Sequence, residues 1–359
     1  MPTLTKTENK SQETGREPAS LKQYIGGRWV QGSAAREVVS ANPADTREVL
    51  ARFKSASKED AVLAIVAAQK AFPAWRDTTA PARGRILTKA AQIFRERRDE
   101  LAVLMTREQG KILAEAKGEM DKGITLIEWF AGEGLRLGGV TMPSELPQNI
   151  LYTVRQPLGV VSIITPWNFP FAIPVWKISP ALVAGNTVVF KPASLVPAMA
   201  VKIVEIFELA GLPKGVLNLV LGSGSAMGDI LVEHPAIKAV SFTGSNSVGK
   251  RVHTICGARG VKATCEMGGK NPAVIWEDAD LELALGGVMK GAFGSTGQRC
   301  TATSRLILHE KIADKFLKMV VGETKKLKVG DGLDPTVTMG PAVDQSQMDT
   351  DLEYIDIAK

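Results

Sequence analysis

Gly159-Val160-Val161-Ser162-Ile163-Ile164-Thr165, followed at once by Pro166-Trp167-Asn168-Phe169-Pro170, decides the fold. A short apolar, β-branched run halted by prolines reads as a strand buried on both faces. Four similar runs follow: 186–190 (NTVVF), 216–221 (VLNLVL), 238–242 (KAVSF) and 261–265 (VKATC). Stretches with helical spacing separate them, at about 174–184, 198–210, 226–233 and 247–256. Apolar strands alternating with helices predict an α/β fold with a parallel sheet covered on both faces. Such sheets bind ligands beyond the carboxyl ends of their strands, so the residues after each run are the candidates.

Working outward, Tyr24 to Val30 reads as a hairpin around Gly26-Gly27. Ser57-Lys58-Glu59-Asp60 resembles a capping box opening a helix to about Phe72. Helical spacing resumes after Pro81 and runs to Leu104, and again from about Ile112 to Glu133. Downstream, a strand at 272–276, a helix at 279–293, a strand at 304–308 and a helix at 313–326 form a second block. A chain of 359 residues is long enough for two domains.

The net charge of +6 is spread among both signs with no basic run, which speaks against nucleic-acid binding. Three cysteines without a CxxC and three distant histidines give no metal-ligand spacing and suit a reduced, cytoplasmic setting. No apolar run reaches the roughly 18 residues of a membrane span. Residues 1–20 mix lysine, arginine and glutamate and are expected to be a disordered tail rather than a leader.

At the strand ends, two prolines hold Asn168 in a rigid loop, as either an oxyanion donor or the closure of a turn. Lys191-Pro192-Ala193-Ser194 ends the second strand. A cation there tolerates a 2′-phosphate, though a lysine also donates to a bare hydroxyl or simply faces solvent. Phe242-Thr243-Gly244-Ser245, with Val248, and the Gly222 to Gly228 segment containing Gly224 both lead into helices whose free N–H groups suit a phosphate. Neither has strict G-x-G-x-x-G spacing, and turn glycines explain either one. Cys300, in Gly297-Gln298-Arg299-Cys300, is an inert buried thiol or a nucleophile with room for a substrate beside Gly297. Glu266 follows a run of β-branched and small residues that would ordinarily exclude a carboxylate unless it had a task, and a carboxylate paired with a thiol is suited to removing a proton. Cys265 should face the opposite way, and both it and Cys256 read as packing.

Pro166-Trp167-Asn168-Phe169-Pro170, Lys191-Pro192, Phe242-Thr243-Gly244-Ser245, Glu266-Met267-Gly268-Gly269-Lys270-Asn271-Pro272 and Gly297-Gln298-Arg299-Cys300 together resemble the aldehyde dehydrogenase superfamily, in order and with its spacing from about Tyr24 onward. The resemblance implies a Rossmann-like dinucleotide-binding domain over 21–265, with an oligomerisation hairpin near 138–155, and a second α/β catalytic domain over 266–359. It implies a catalytic set of Cys300 (thiol), Glu266 (base), Asn168 (oxyanion donor) and Lys191 (cofactor ribose). It places Trp167, Ala193, Ser194, Gly244, Ser245 and Met267 against NAD or NADP, and Thr165, Gly224, Phe242, Val248 and Gly268 complete the expected cofactor-binding set. Many NAD-preferring members carry Glu at the position of Ser194, so NADP is expected to be tolerated.

Within the superfamily, the segments 42–48, 166–176 and 300–305 look most like α-ketoglutaric semialdehyde (2,5-dioxopentanoate) dehydrogenases. Succinic semialdehyde dehydrogenase is the alternative activity, although those enzymes usually have an arginine where Trp176 stands. Arg155 or Arg299 is then the candidate for a substrate carboxylate. Glu266 argues against a CoA-acylating enzyme. Intact members of the family are expected to be homodimers or homotetramers and to continue past Lys359. A truncated second domain, and an inactive nucleotide-binding fragment as the alternative function, follow from that expectation.

Overall fold

The computed structural model describes residues 17–359. The first half begins with β1 (Ala19–Ser20), β2 (Gln23–Ile25), β3 (Arg28–Val30), β4 (Glu37–Asn42) and β5 (Asp45–Lys54). Helices α1 (Lys58–Asp77), α2 (Ala80–Glu96), α3 (Arg98–Gln109) and α4 (Leu113–Glu133) follow, then the short hairpin β6 (Thr141–Met142) and β7 (Leu151–Tyr152). The alternating region is β8 (Val160–Ile164), α5 (Ala172–Val183), β9 (Thr187–Lys191), α6 (Pro197–Leu209), β10 (Leu217–Leu219), α7 (Gly224–Glu233), β11 (Ile237–Gly244), α8 (Asn246–Ala258) and β12 (Lys262–Met267). The chain ends with β13 (Asn271–Ile275), α9 (Leu281–Phe293), β14 (Thr303–Leu308), α10 (Glu310–Thr324) and α11 (Gln345–Ala358).

The large sheet has the order β12-β11-β8-β9-β10-β2-β3. β12 through β10 run parallel, and the β2–β3 hairpin closes one edge antiparallel. The chain builds outward from β8 through β9 to β10, then returns to lay β11 and β12 on the other side of β8. The strand order therefore reverses between β8 and β11, and the crevice beyond their carboxyl ends is where such sheets take a ligand. α1, α7 and α8 cover one face around Ile65, Met227 and Phe242. α5 and α6 cover the other, where Phe94 packs on Phe171 and Phe207. β13 and β14 make a separate parallel pair packed on α9 and α10 around Phe316.

Local chemistry accounts for these elements. Ser57 and Asp60 form the expected reciprocal capping box at the start of α1, and Asp60 also accepts from Ser33 and Gln23. α1 continues past Phe72 to Asp77, because Trp75 is buried and its indole donates to Leu182 O at 3.2 Å. The single helical stretch expected after Pro81 is two helices that break at Arg97. The tail expected over 1–20 ends sooner, since Ala19 and Ser20 pair with Ala51 and Arg52; residues 1–16 lie outside the described residues. β12 runs two residues beyond the expected strand, so the boundary expected after residue 265 falls inside it, and Glu266 and Met267 pair with Thr243 and Gly244. Among the described residues no helix is long and apolar enough to cross a membrane, and no cluster of His, Cys, Asp and Glu could hold a metal.

Candidate active site

The carboxyl ends of β8, β9, β11 and β12 converge on one crevice. From β8, Thr165 is buried, and its backbone N–H donates to Lys191 O at 3.1 Å, tying it to the end of β9. The Lys191 ammonium is buried, donates among the described residues only to its neighbour Pro192 O at 3.1 Å, and is pushed down to about 8 by burial. A buried cation with a single carbonyl partner is short of acceptors. The Thr165 and Thr243 hydroxyls, at the same ends of β8 and β11, are buried without partners among the described residues. These orphaned groups fit a ligand rich in hydroxyl and phosphate oxygens. Ala193 and Ser194, half-buried, follow Lys191, and Trp167, half-buried, follows Thr165.

Two helix N-termini open nearby. Ser223 caps α7, and the space over Gly224 is open. Ser245 begins α8 without a side-chain cap, leaving the N–H groups of its first turn free for an anion. Val248 is exposed on that turn, while Phe242 is buried beneath it and Met267 packs against Gly249. Gly268 is exposed just beyond Met267.

β12 is an edge strand, and its residues alternate between exposed and half-buried positions. A carboxylate at Glu266 is therefore tolerated by exposure alone; the exclusion expected from the apolar run does not operate. On the opposite face, Cys265 Sγ donates to Gly249 O at 3.6 Å, and Cys256 is 0% exposed near the end of α8. Burial pushes both thiols up, which keeps them protonated packing groups, as expected. Cys300 alone is exposed, and all three cysteines are free.

Asn168 Nδ2 donates to Gln298 O at 3.0 Å, linking the β8 loop to the Cys300 loop, and Asn168 Oδ1 is buried without a partner among the described residues. Cys300 O accepts from Asn271 Nδ2 at 2.9 Å, and a side-chain carbon built on Gly269 would lie 3.5 Å from the same oxygen. Cys300 is thus bracketed between the Asn168 loop and the segment that leaves Glu266. The loop before it is strained: Ser295 (φ 51) and Thr296 (φ 60) are the two non-glycine residues with positive φ among those described, and Gly297 (φ 67) follows. Such conformations cost about 1–3 kcal/mol each and persist only when neighbours over-determine them. Thr296 Oγ1 donates to Gly340 O at 2.9 Å, and Gln298 Oε1 accepts from Val343 N at 3.0 Å.

Two groups lay beyond the sequence reading. Lys111 and Glu119 form an ion pair at 2.6 Å with side chains 1% exposed. Lys111 Nζ donates to Asn168 O at 2.8 Å and lies over the Phe169 ring, while Glu119 accepts from Phe171 N and Ala172 N. Lys177, on α5, donates to Ser241 Oγ at 2.9 Å and is held down to about 8 by burial, with the Glu266 charge opposing. Its signal was the one charge inside the apolar run 172–183.

Neither arginine expected to meet a substrate carboxylate is free in this crevice. Arg155 donates to Gly138 O and lines a cleft of about 870 Å³ with Arg83, Leu158, Asn186 and Lys262, at the amino ends of the strands. Arg299 is held by Ser295 Oγ and Glu115.

The sequence pattern of the aldehyde dehydrogenase family matches residues 29–359. The chain is 47% identical over 336 residues to an α-ketoglutaric semialdehyde dehydrogenase of Bacillus subtilis (strain 168), covering 94% of this chain and 69% of that protein. It is 44% identical over 343 residues to a 2,5-dioxopentanoate dehydrogenase of Saccharolobus solfataricus, covering 94% and 71%. Betaine aldehyde dehydrogenase from Staphylococcus aureus, solved in complex with NAD+, superposes with a TM-score of 0.92 at 37% identity, covering 95% of this chain and 68% of that one.

Proposed function

This chain belongs to the aldehyde dehydrogenase family, and from that premise we propose that it oxidises a semialdehyde, with 2,5-dioxopentanoate the leading candidate, to a carboxylic acid at Cys300. The observation that carries the reading is the bracketing of an exposed Cys300 between Asn168 and the segment after Glu266. Cys300 as thiolate adds to the aldehyde carbon, and the carbonyl oxygen becomes an oxyanion held by Asn168 Nδ2, which exchanges Gln298 O for it. Loss of hydride from the thiohemiacetal leaves a thioester on Cys300. Glu266 takes a proton from water, which attacks the thioester and releases the acid and the thiol.

NAD or NADP fits the orphaned groups at the strand ends and supplies the hydride acceptor. Lys191 and Ser194 would hold its ribose, and the first turns of α7 and α8 its phosphates. Ser194 leaves room for a 2′-phosphate where a carboxylate would repel one. The exposed hairpin residues Met142, Ile150 and Tyr152 support a homodimer or homotetramer, and the three free thiols support a reduced, cytoplasmic setting.

The test is reduction of NAD+ and NADP+ by the purified chain with 2,5-dioxopentanoate, succinic semialdehyde and betaine aldehyde. Turnover fastest with 2,5-dioxopentanoate and absent in Cys300→Ala is expected; turnover retained without the thiol contradicts the mechanism. Exposed Val274, Trp276, Ile307 and Ile355 around 271–359 favour one other reading, nucleotide capture without turnover. Calorimetric binding with no aldehyde oxidation would establish that reading.

A further inference from the structure

We infer that Glu115, in the first turn of α4, is a positioning residue that sets the nucleophile loop against Asn168. This rests on Cys300 as the nucleophile. Glu115 Oε1 accepts from Ser295 N at 2.6 Å and faces Arg299 Nη2 at 3.7 Å. Ser295 is 2% exposed and is the first of the left-handed residues that aim the chain at Cys300. Arg299, the residue before the thiol, donates from Nε and Nη2 to Ser295 Oγ at 3.3 and 3.1 Å. The carboxylate thus holds both ends of the turn: the amide where the strained conformation begins and the guanidinium where it ends.

The partner of this contact stands one turn along the same helix. Glu119, four residues on and so on the same face, accepts from Phe171 N and Ala172 N. It also pairs with Lys111, which holds Asn168 O. The first two turns of α4 therefore hold the thiol loop through Glu115 and the amide loop through Glu119. Their meeting point, Asn168 Nδ2 to Gln298 O, is set by one rigid element. A misplacement of about 1 Å costs on the order of a hundredfold in rate even from outside the chemistry.

The test compares Glu115→Gln and Glu115→Ala in the full chain. Glu115→Gln keeps an oxygen for the Ser295 amide and loses the charge facing Arg299. The readouts are Cys300 alkylation by iodoacetamide, resolved by peptide mass against Cys256 and Cys265, then kcat and KM for aldehyde, nucleotide affinity by calorimetry and thermal melting. Glu115→Ala should slow Cys300 alkylation and lower kcat by about tenfold or more. KM and nucleotide affinity should stay within about twofold, and Glu115→Gln should recover most of the loss. Wild-type Cys300 reactivity in a folded Glu115→Ala overturns the inference. So do identical defects in the two variants, or loss of cooperative melting in both, which would assign Glu115 to stability alone. Failure of the underlying reading looks different: wild-type Cys300 would then alkylate no faster than the buried thiols.

Discussion

Breaking the Lys111–Glu119 pair should destabilise the chain strongly, and unevenly with the partner removed. Both side chains are 1% exposed and 2.6 Å apart, so removing either leaves a charge in a dry interior, a loss of about 3–5 kcal/mol. Lys111→Met leaves the Glu119 carboxylate with two backbone donors, at 2.9 and 3.0 Å, at the start of α5. That helix terminus favours a negative charge, which places this variant near the lower bound. Glu119→Gln leaves the Lys111 ammonium with only Asn168 O and the Phe169 ring, 4.3 Å from its centroid. That places the second variant nearer the upper bound. The double variant Lys111→Met with Glu119→Gln carries no buried charge and keeps an amide oxygen for α5. It should be less destabilised than the sum of the singles by at least about 2 kcal/mol. Urea denaturation followed by tryptophan fluorescence measures all four chains. Single losses below about 1 kcal/mol, or additivity within about 0.5 kcal/mol, would refute the reasoning.

Asn168→Ala should lower the rate of hydride transfer in a single turnover by about two to three orders of magnitude, the usual loss for one oxyanion donor. A loss under about threefold, seen by stopped-flow absorbance, would leave Asn168 as a turn residue. Stability should also carry a pH signature from Lys191. Its pKa is lowered in the fold, so between about 8 and its ordinary 10.5 the unfolded chain binds more protons, and stability rises with pH. Below about 8 the full penalty of burying the charge is present. Lys191→Met should therefore gain most over wild type at neutral pH and lose that advantage toward pH 10.5, by about 1.4 kcal/mol per unit; parallel pH profiles of the two chains would contradict this.

The placement of the candidate residues was readable because the crevice of a parallel sheet lies at its strand ends. Asn168, Lys191, Gly244 and Glu266 each follow or finish a strand that the apolar runs of β8, β9, β11 and β12 announce. Local patterning does not carry long-range pairing. Nothing near Lys111 points to Asn168 O, 57 residues away, and nothing near Glu115 points to Ser295 N, 180 residues away. Edge status was equally hidden. The run 261–265, rich in β-branched and small residues, reads like the other strands, yet among the described residues only β11 flanks β12, so the exclusion expected around Glu266 was misplaced although the residue stands at the carboxyl end of β12. The α2–α3 break at Arg97 left no proline or glycine to mark it, and helical spacing ran through it.

The most direct measurement follows the acyl group. Glu266→Gln is mixed with aldehyde and nicotinamide cofactor, quenched after one turnover, and its peptides are weighed. Reduced cofactor should appear in step with an acyl adduct on the peptide carrying Cys300, and the adduct should persist because its hydrolysis lacks a base. Reduced cofactor with that peptide unmodified, or the acyl group on Cys256 or Cys265, would contradict a shared cleft for Cys300 and Glu266.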